Sequence, residues 1–109
     1  MKISAPADVV HWEAAAAALA AAARWADEAG IKVNVAVVDS GGNLAAFLRM
    51  PGAFLHSIEI AIDKAYTAAG FGFPTSAWTD ALATHSPAVR SGIPIRPRMV
   101  CFGGGLPLR

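Results

Sequence analysis

"KVNVAVVDSGGNLAAFLRM", residues 32–50, decides the fold. Lys32 to Val38 alternates and is rich in β-branched residues. Gly41 and Gly42 supply the positive φ of a tight turn, and Asn43 to Met50 return, so the stretch reads as a β-hairpin. Val33, Val35 and Val37 share one face of the first strand; Asn34, Ala36 and Val38 share the other. The second face is small rather than charged, so both faces are expected to be covered. A strand pair covered on both sides needs helices, and the flanking sequence supplies them.

Upstream, "APADVVHWEAAAAALAAAARWADEAG" reads as one long helix, because alanine has the highest helix propensity. Val9, Trp12, Ala16, Leu19, Ala23 and Ala26 follow the three-four spacing of a core face. Ser4 or Asp8 is placed to cap its start, and Gly30 suits the position after its end. Downstream, "GAFLHSIEIAIDKAYTAAGFG" reads as a second helix with Leu55, Ile58, Ile62, Ala65 and Ala69 as its core stripe. "PTSAWTDALATHS" opens with Pro74 and a Thr75/Ser76 cap and reads as a short helix. "PAVRSGIPIRP" reads as irregular, because of its prolines and Gly92. Arg98 to Phe102 read as a last strand, Gly103 to Gly105 as a turn, and Leu106-Pro107-Leu108 as the entry to another. The expected fold class is α/β or α+β, an antiparallel sheet flanked by helices.

The chain has 109 residues, which is one domain's length. Hydrophobic residues make up 55% and charged residues 16%, which excludes a disordered chain. A net charge of +1 with no basic tract argues against nucleic acid. Cys101 is the only cysteine, so no disulfide forms within the chain, and a lone thiol suits a reducing compartment. The alanine-rich run is preceded by Asp8 and His11 rather than by a basic segment, and it is about half a membrane span, so neither a signal peptide nor a membrane anchor is expected. A soluble, cytoplasmic protein is the expectation.

"VAVVDSGGNLAAFLRM", "SIEIAIDKAYTAAGFGFPTS" and "FGGGLPLR" together resemble the haem-degrading HbpS/GlcG family, also known as the PduO C-terminal domain family. The features that carry the resemblance are a strand ending in Asp-x-Gly-Gly, an Arg-Met after the next strand, a Lys-Ala-x-Thr-Ala helix and a Gly-Gly-x-Pro turn. The resemblance implies a profilin-like sandwich that forms oligomers. It also implies links to haem binding and degradation, to corrinoid metabolism, or to small organic acids. It further implies a strand and a helix after the Gly-Gly-x-Pro turn, the strand lying beside the first one. Without them Lys32 to Ser40 would present an unpaired apolar edge. The expectation is therefore a single domain over 1–109 that does not complete its own sheet. It would be either a piece of a longer chain or a subunit whose sheet is finished by a second polypeptide or a symmetry mate, with Arg109 near that interface.

Several residues are candidates for chemistry. His11, Ala15, Ala18, Ala22 and Trp25 share a helical stripe that can receive a flat tetrapyrrole with His11 as iron ligand, or can pack closely on another helix. His56, Ile60, Lys64, Thr67 and Phe71 form a mixed face on the second helix. Lys64 there can bind a carboxylate or act as an amine, or can be a surface lysine whose stem lies along apolar groups. Arg49 can grip an acid ligand through its guanidinium fork. Asp39 reads as a bond acceptor for the turn amides. Gly103, Gly104 and Gly105 offer clustered amides to an anion, or form a plain turn. A pocket is expected between His56, Lys64 and Thr67 and this glycine turn. Cys101 reads as buried and unreactive. His11, His56 and His85 have no zinc spacing. The leading expectation is a haem- or tetrapyrrole-type binding domain acting in an oligomer. The alternatives are an enzyme subunit for a small carboxylated molecule, with Lys64 as candidate catalytic group, and a structural subunit completed by a partner chain.

Overall fold

The structure, a computed structural model, describes residues 1–108. Arg109 lies outside the described residues, and with it the expectation about its place at an interface. The element order is α1 (Trp12–Glu28), β1 (Asn34–Val38), β2 (Leu44–Arg49), α2 (Ser57–Phe71), a single 3-10 turn at Thr75–Ala77, α3 (Trp78–Ala83) and α4 (Pro87–Gly92). β1 and β2 pair antiparallel, Asn34 opposite Arg49 and Val37 opposite Ala46, with an irregularity between Val37 and Val38. Both α1 and α2 pack on β1, and α1 also reaches β2. This is the mixed α/β architecture that the hairpin implied.

The hairpin closes as its sequence requires. Asp39 N–H donates to the Asn43 carbonyl at 2.9 Å, and Gly42, at φ 82°, donates to the Asp39 carbonyl at 2.9 Å. A side chain at Gly42 would strike the Tyr66 ring, 2.7 Å from its Cε2, so glycine serves both the turn and the close approach of α2.

α1 begins later than expected, at Trp12, and neither Ser4 nor Asp8 caps it. His11 is the cap, its Nδ1 accepting the Glu13 amide at 3.1 Å. Residues 1–10 are not helical, and the Asp8 carbonyl accepts the Ser40 hydroxyl at 2.8 Å, tying this arm to the hairpin turn. The expected core stripe of α1 holds in its second half, where Leu19 and Ala23 are half-buried and Ala26 is buried, and fails in its first. Ala15 and Ala26 are fully buried, while Val9, Trp12 and Ala16 are exposed. Alanine positions differ too little in apolarity to mark a face, so packing on the hairpin chose it. In α2 the expected core residue Leu55 lies before the helix and is exposed, and Thr67 and Ala68 are the buried pair.

The C-terminal third departs most from its sequence. Residues 87–92 form α4, not an irregular run. Pro87 stands in the first helical turn, where its missing N–H costs nothing, and the Ser86 hydroxyl accepts the Val89 amide at 3.4 Å. Thr75 caps no helix; its buried hydroxyl instead accepts the Gly105 amide at 2.8 Å. The strand expected at 98–102 is absent among the described residues. Arg98 sits at φ 63° and breaks the extended run. The Val100 amide donates to the Thr67 hydroxyl at 3.2 Å, and that hydroxyl donates to the Arg98 carbonyl at 3.0 Å. A threonine on α2 thus takes bonds that a neighbouring strand would have taken.

The interior is thin. Thr67 and Thr75 are the largest fully buried side chains among the described residues. Trp78, 5% exposed, anchors a separate aromatic cluster with Phe71 and Phe73, at 4.7 and 4.9 Å between ring centroids. The radius of gyration is 15.4 Å, against about 13 Å for a compact domain of this length. Bonds at Thr67 therefore carry an unusual share of the attachment of 98–105. Thr67→Val keeps the shape but orphans the Val100 amide. It is expected to cost about 1–3 kcal/mol in denaturant unfolding, more than a surface substitution.

Candidate functional site

The free edge of β1 forms a groove. Consecutive residues of a strand point to opposite faces, so a cavity lined by an unbroken run of them lies at an edge. One cavity, about 660 Å³, is lined by Lys32 to Ala36. A second, about 550 Å³, is lined by Ala36 to Ser40. They share Ala36, Ala65 and Leu106 and so make one groove along the strand. β2 occupies the other edge. The first cavity carries Lys32 and Lys64 and no acid among its described lining; the second carries Asp8 and Asp39 and no base. Asn34 Oδ1 is buried at this edge without a hydrogen-bond partner among the described residues.

Lys64 and the glycine turn meet here. The Lys64 ammonium would lie 2.6 Å from a Cβ on Gly104, and its carbonyl 2.5 Å from one on Gly105. Only glycines allow this approach. Lys64 Nζ also stands 4.8 Å from the centre of the Phe102 ring. The expected pocket between α2 and the glycine turn therefore exists with Lys64, Gly104 and Gly105 in its wall. His56, Thr67 and Gly103 are not in its lining. Thr67 is spent on the Arg98–Val100 bracket, and Gly103 faces Ser76. Exposed His56 precedes α2 and makes no capping bond. Arg49 donates to the Ala53 carbonyl at 2.9 Å and holds the bend after β2.

His11 lies apart from this groove. Its side chain is 64% exposed, its ring centroid is 5.7 Å from that of Trp12, and Glu13 Oε1 is 3.8 Å from its Nδ1. The stripe expected with it is rotated by one residue. Ala15 is buried, and Ala18 and Ala22 are half-buried. Ala14, Ala17 and Ala21 face outward instead, while Trp25 stands at the mouth of the groove. Cys101 is half-buried rather than buried, because no strand forms around it, and burial pushes its thiol pKa up, away from reactive thiolate. No group of three or more metal-ligating side chains occurs among the described residues. No described helix is long and apolar enough to cross a membrane.

Two contributors had little signal in the sequence. Lys32 reads as a strand-end lysine and becomes a groove wall. Arg98 reads as part of a strand and becomes a clasp: its Nε donates to Asp63 at 3.0 Å and its guanidinium lies 3.5 Å from the Tyr66 ring centre. The prolines around it mark a turn, but nothing marks the clasp.

Asp39 is a turn residue, as its sequence context suggested. Its Oδ1 accepts the amides of Asn43 and Gly41, each at 2.9 Å. The Asn43 amide chiefly holds its pKa below the ordinary value; desolvation opposes it, and the Asn43 side chain and the Gly41 amide add to the lowering. A carboxyl depressed on folding stabilises the fold above its unfolded pKa, and the contribution is lost as pH falls through the folded one. Asp39→Asn is therefore expected to lower the melting temperature at pH 7, and the gap to the parent should shrink below about pH 4. Thermal melts across that range check it.

A family model described as haem degrading protein HbpS-like matches residues 10–109, and the chain belongs to that family. An uncharacterized 15.0 kDa protein in the dhaT-dhaS intergenic region of Citrobacter freundii is 38% identical over 81 residues, which is 74% of this chain. The chain spans 57% of that relative's length. The crystal structure of Klebsiella pneumoniae protein ORFY superposes with a TM-score of 0.86 at 34% identity, covering 100% of this chain and 75% of that one. A PduOC:haem complex superposes with a TM-score of 0.77 at 28% identity, covering 89% of this chain and 70% of that one.

Proposed function

We propose that this chain is a binding domain for a haem-class tetrapyrrole, received on the outer face of α1 with His11 as the iron ligand, and that it acts with a partner subunit. The observation that carries the reading is the state of α1's outer surface. His11 is an exposed imidazole beside Trp12, and Ala14, Ala17 and Ala21 present only methyl groups behind it. That is a flat apolar platform with one nitrogen ligand at its end. A solved neighbour that carries haem gives the ligand class.

The residues fit haem at this face better than in the groove. Among its described lining, the groove wall holds lysines but no histidine, cysteine, methionine or tyrosine for iron. At His11, Nδ1 accepts the Glu13 amide, so the neutral ring carries its proton on Nε2. To present Nε2 to a metal, the ring must give up that cap bond and carry its proton on Nδ1, and Glu13 Oε1, 3.8 Å away, must close to hydrogen-bond distance to accept it. A carboxylate on the far nitrogen is the usual orienting partner of a metal-bound histidine. Haem, when bound, supplies redox chemistry at its iron; this chain supplies the platform and one ligand.

A second reading rests on the Lys64 corner: a site for a small carboxylated molecule, with the ammonium and the Gly104–Gly105 backbone as its anchors. Titration of the purified chain with haemin separates the two. A Soret shift is expected, weakened by more than about tenfold in affinity in His11→Ala and retained in Lys64→Ala. A shift unchanged in His11→Ala overturns the first reading. Loss in Lys64→Ala alone moves the ligand to the glycine corner.

A further inference from the structure

We propose that the outer face of α1 pairs with the same face of a second copy of this chain, the two helices antiparallel, with Glu13 of each against Arg24 of the other. This goes beyond the haem reading and does not rest on it.

The face lacks what keeps a surface helix in water. Such a helix normally carries charged residues opposite its buried stripe. α1 buries Ala15 and Ala26 completely. These two stand eleven residues apart, about three turns, and so mark one line along the helix. From Ala14 to Ala23 the sequence has no polar residue. On the far side from the buried line run Glu13, Ala17, Ala20 and Arg24, with Ala16 and Ala21 beside them; all but half-buried Ala20 are exposed. Trp12 and Trp25 are exposed too. They point about 110° to either side of that outer line, so nothing bulky stands on it between its two charges.

The charges say which occupant fits. Glu13 and Arg24 are again eleven residues apart, an acid at one end of the alanine run and a base at the other. Arg24 makes no ion pair among the described residues, and the Glu13 carboxylate has only the exposed His11 ring, 3.8 Å away. A second α1 laid antiparallel brings the opposite charge to both ends at once. One laid parallel sets like against like. Alanine methyls let the helix axes approach to about 8 Å, within reach of both charged side chains. The face thus complements itself, as a contact across a two-fold axis must. It shares Ala17 and Ala21 with the haem platform, so the pair belongs to the haem-free protein.

Sedimentation equilibrium of the haem-free chain at about 100 μM tests this. An even multiple of the chain mass is expected. Arg24→Glu and Glu13→Arg each set like charges at both ends and are expected to weaken self-association by at least about tenfold. Mixed in equal amounts, these two variants bring acid to base at both ends and are expected to recover the parent mass as a mixed pair. Misfolding of either variant would not give that recovery. Ala17→Arg, at an exposed position, blocks close approach and is expected to halve the mass while circular dichroism stays unchanged. Spin labels at Glu28→Cys, in a Cys101→Ala background, report direction. Antiparallel helices separate them by about 28 Å along the axis, and parallel ones bring them within about 15 Å. A monomeric parent chain, a mass unchanged by Arg24→Glu or by Ala17→Arg, a mixture that stays apart, or the short label distance overturns the proposal. Haemin is absent throughout, and its titration against His11 is a separate measurement, so either reading can fail alone.

Discussion

The β1–β2 pair is the interaction on which the rest of the described structure depends, because both long helices pack on it. β2 takes one edge of β1. Two helices bring their small residues to β1, which draws the strand inward and half-buries every residue of it. The remaining edge then keeps polar backbone in a place that is no longer fully wet. The groove runs along that edge.

The segment from Arg98 to Gly105 is held on by two hydroxyls and one arginine, while Trp78 with Phe71 and Phe73 anchors the short helices. Alanines let α1 approach closely but remove little surface from water each, about 25 cal/mol per Å². Thr67 and Thr75, the largest side chains buried completely, are both spent on binding the segment from Arg98 to Gly105. Arg98 adds an ion pair to Asp63 and a stack on Tyr66, the same ring that closes over Gly42. The hairpin turn, the middle of α2 and the C-terminal segment are thus joined through one tyrosine. This clasp fixes where the glycine turn meets Lys64.

α1 separates the groove from the His11 face. Its inner side, Ala15 to Ala26, covers the hairpin, and Ala22 and Ala26 line the groove. Its outer side carries His11 and the exposed alanines. Small residues serve both sides of one helix for the same reason: a methyl group lets either a backbone or a ring come near.

The hairpin was legible because its signals are local. Alternation, Asp39 and the Gly41-Gly42 turn are read within nineteen consecutive residues, and the Asp39 bonds stay inside the turn. The two long helices were legible from propensity, and the meeting of Lys64 with the glycine turn from the residues that resemble the family. The buried face of α1 was legible at Leu19, Ala23 and Ala26 but not at Ala15, because a run of alanines has little hydrophobic contrast. The fate of 98–102 was not legible either. An apolar run becomes a strand only where a second strand offers its backbone, and here a threonine 33 residues away from Val100 makes the offer instead. His11 reads as a stripe residue and becomes a cap, because α1 starts only at Trp12. Sequence by itself determined the elements whose bonds close within a few residues. Tertiary structure decided the faces, the clasp and the open edge, because each depends on which distant backbone or side chain is near enough to complete a bond.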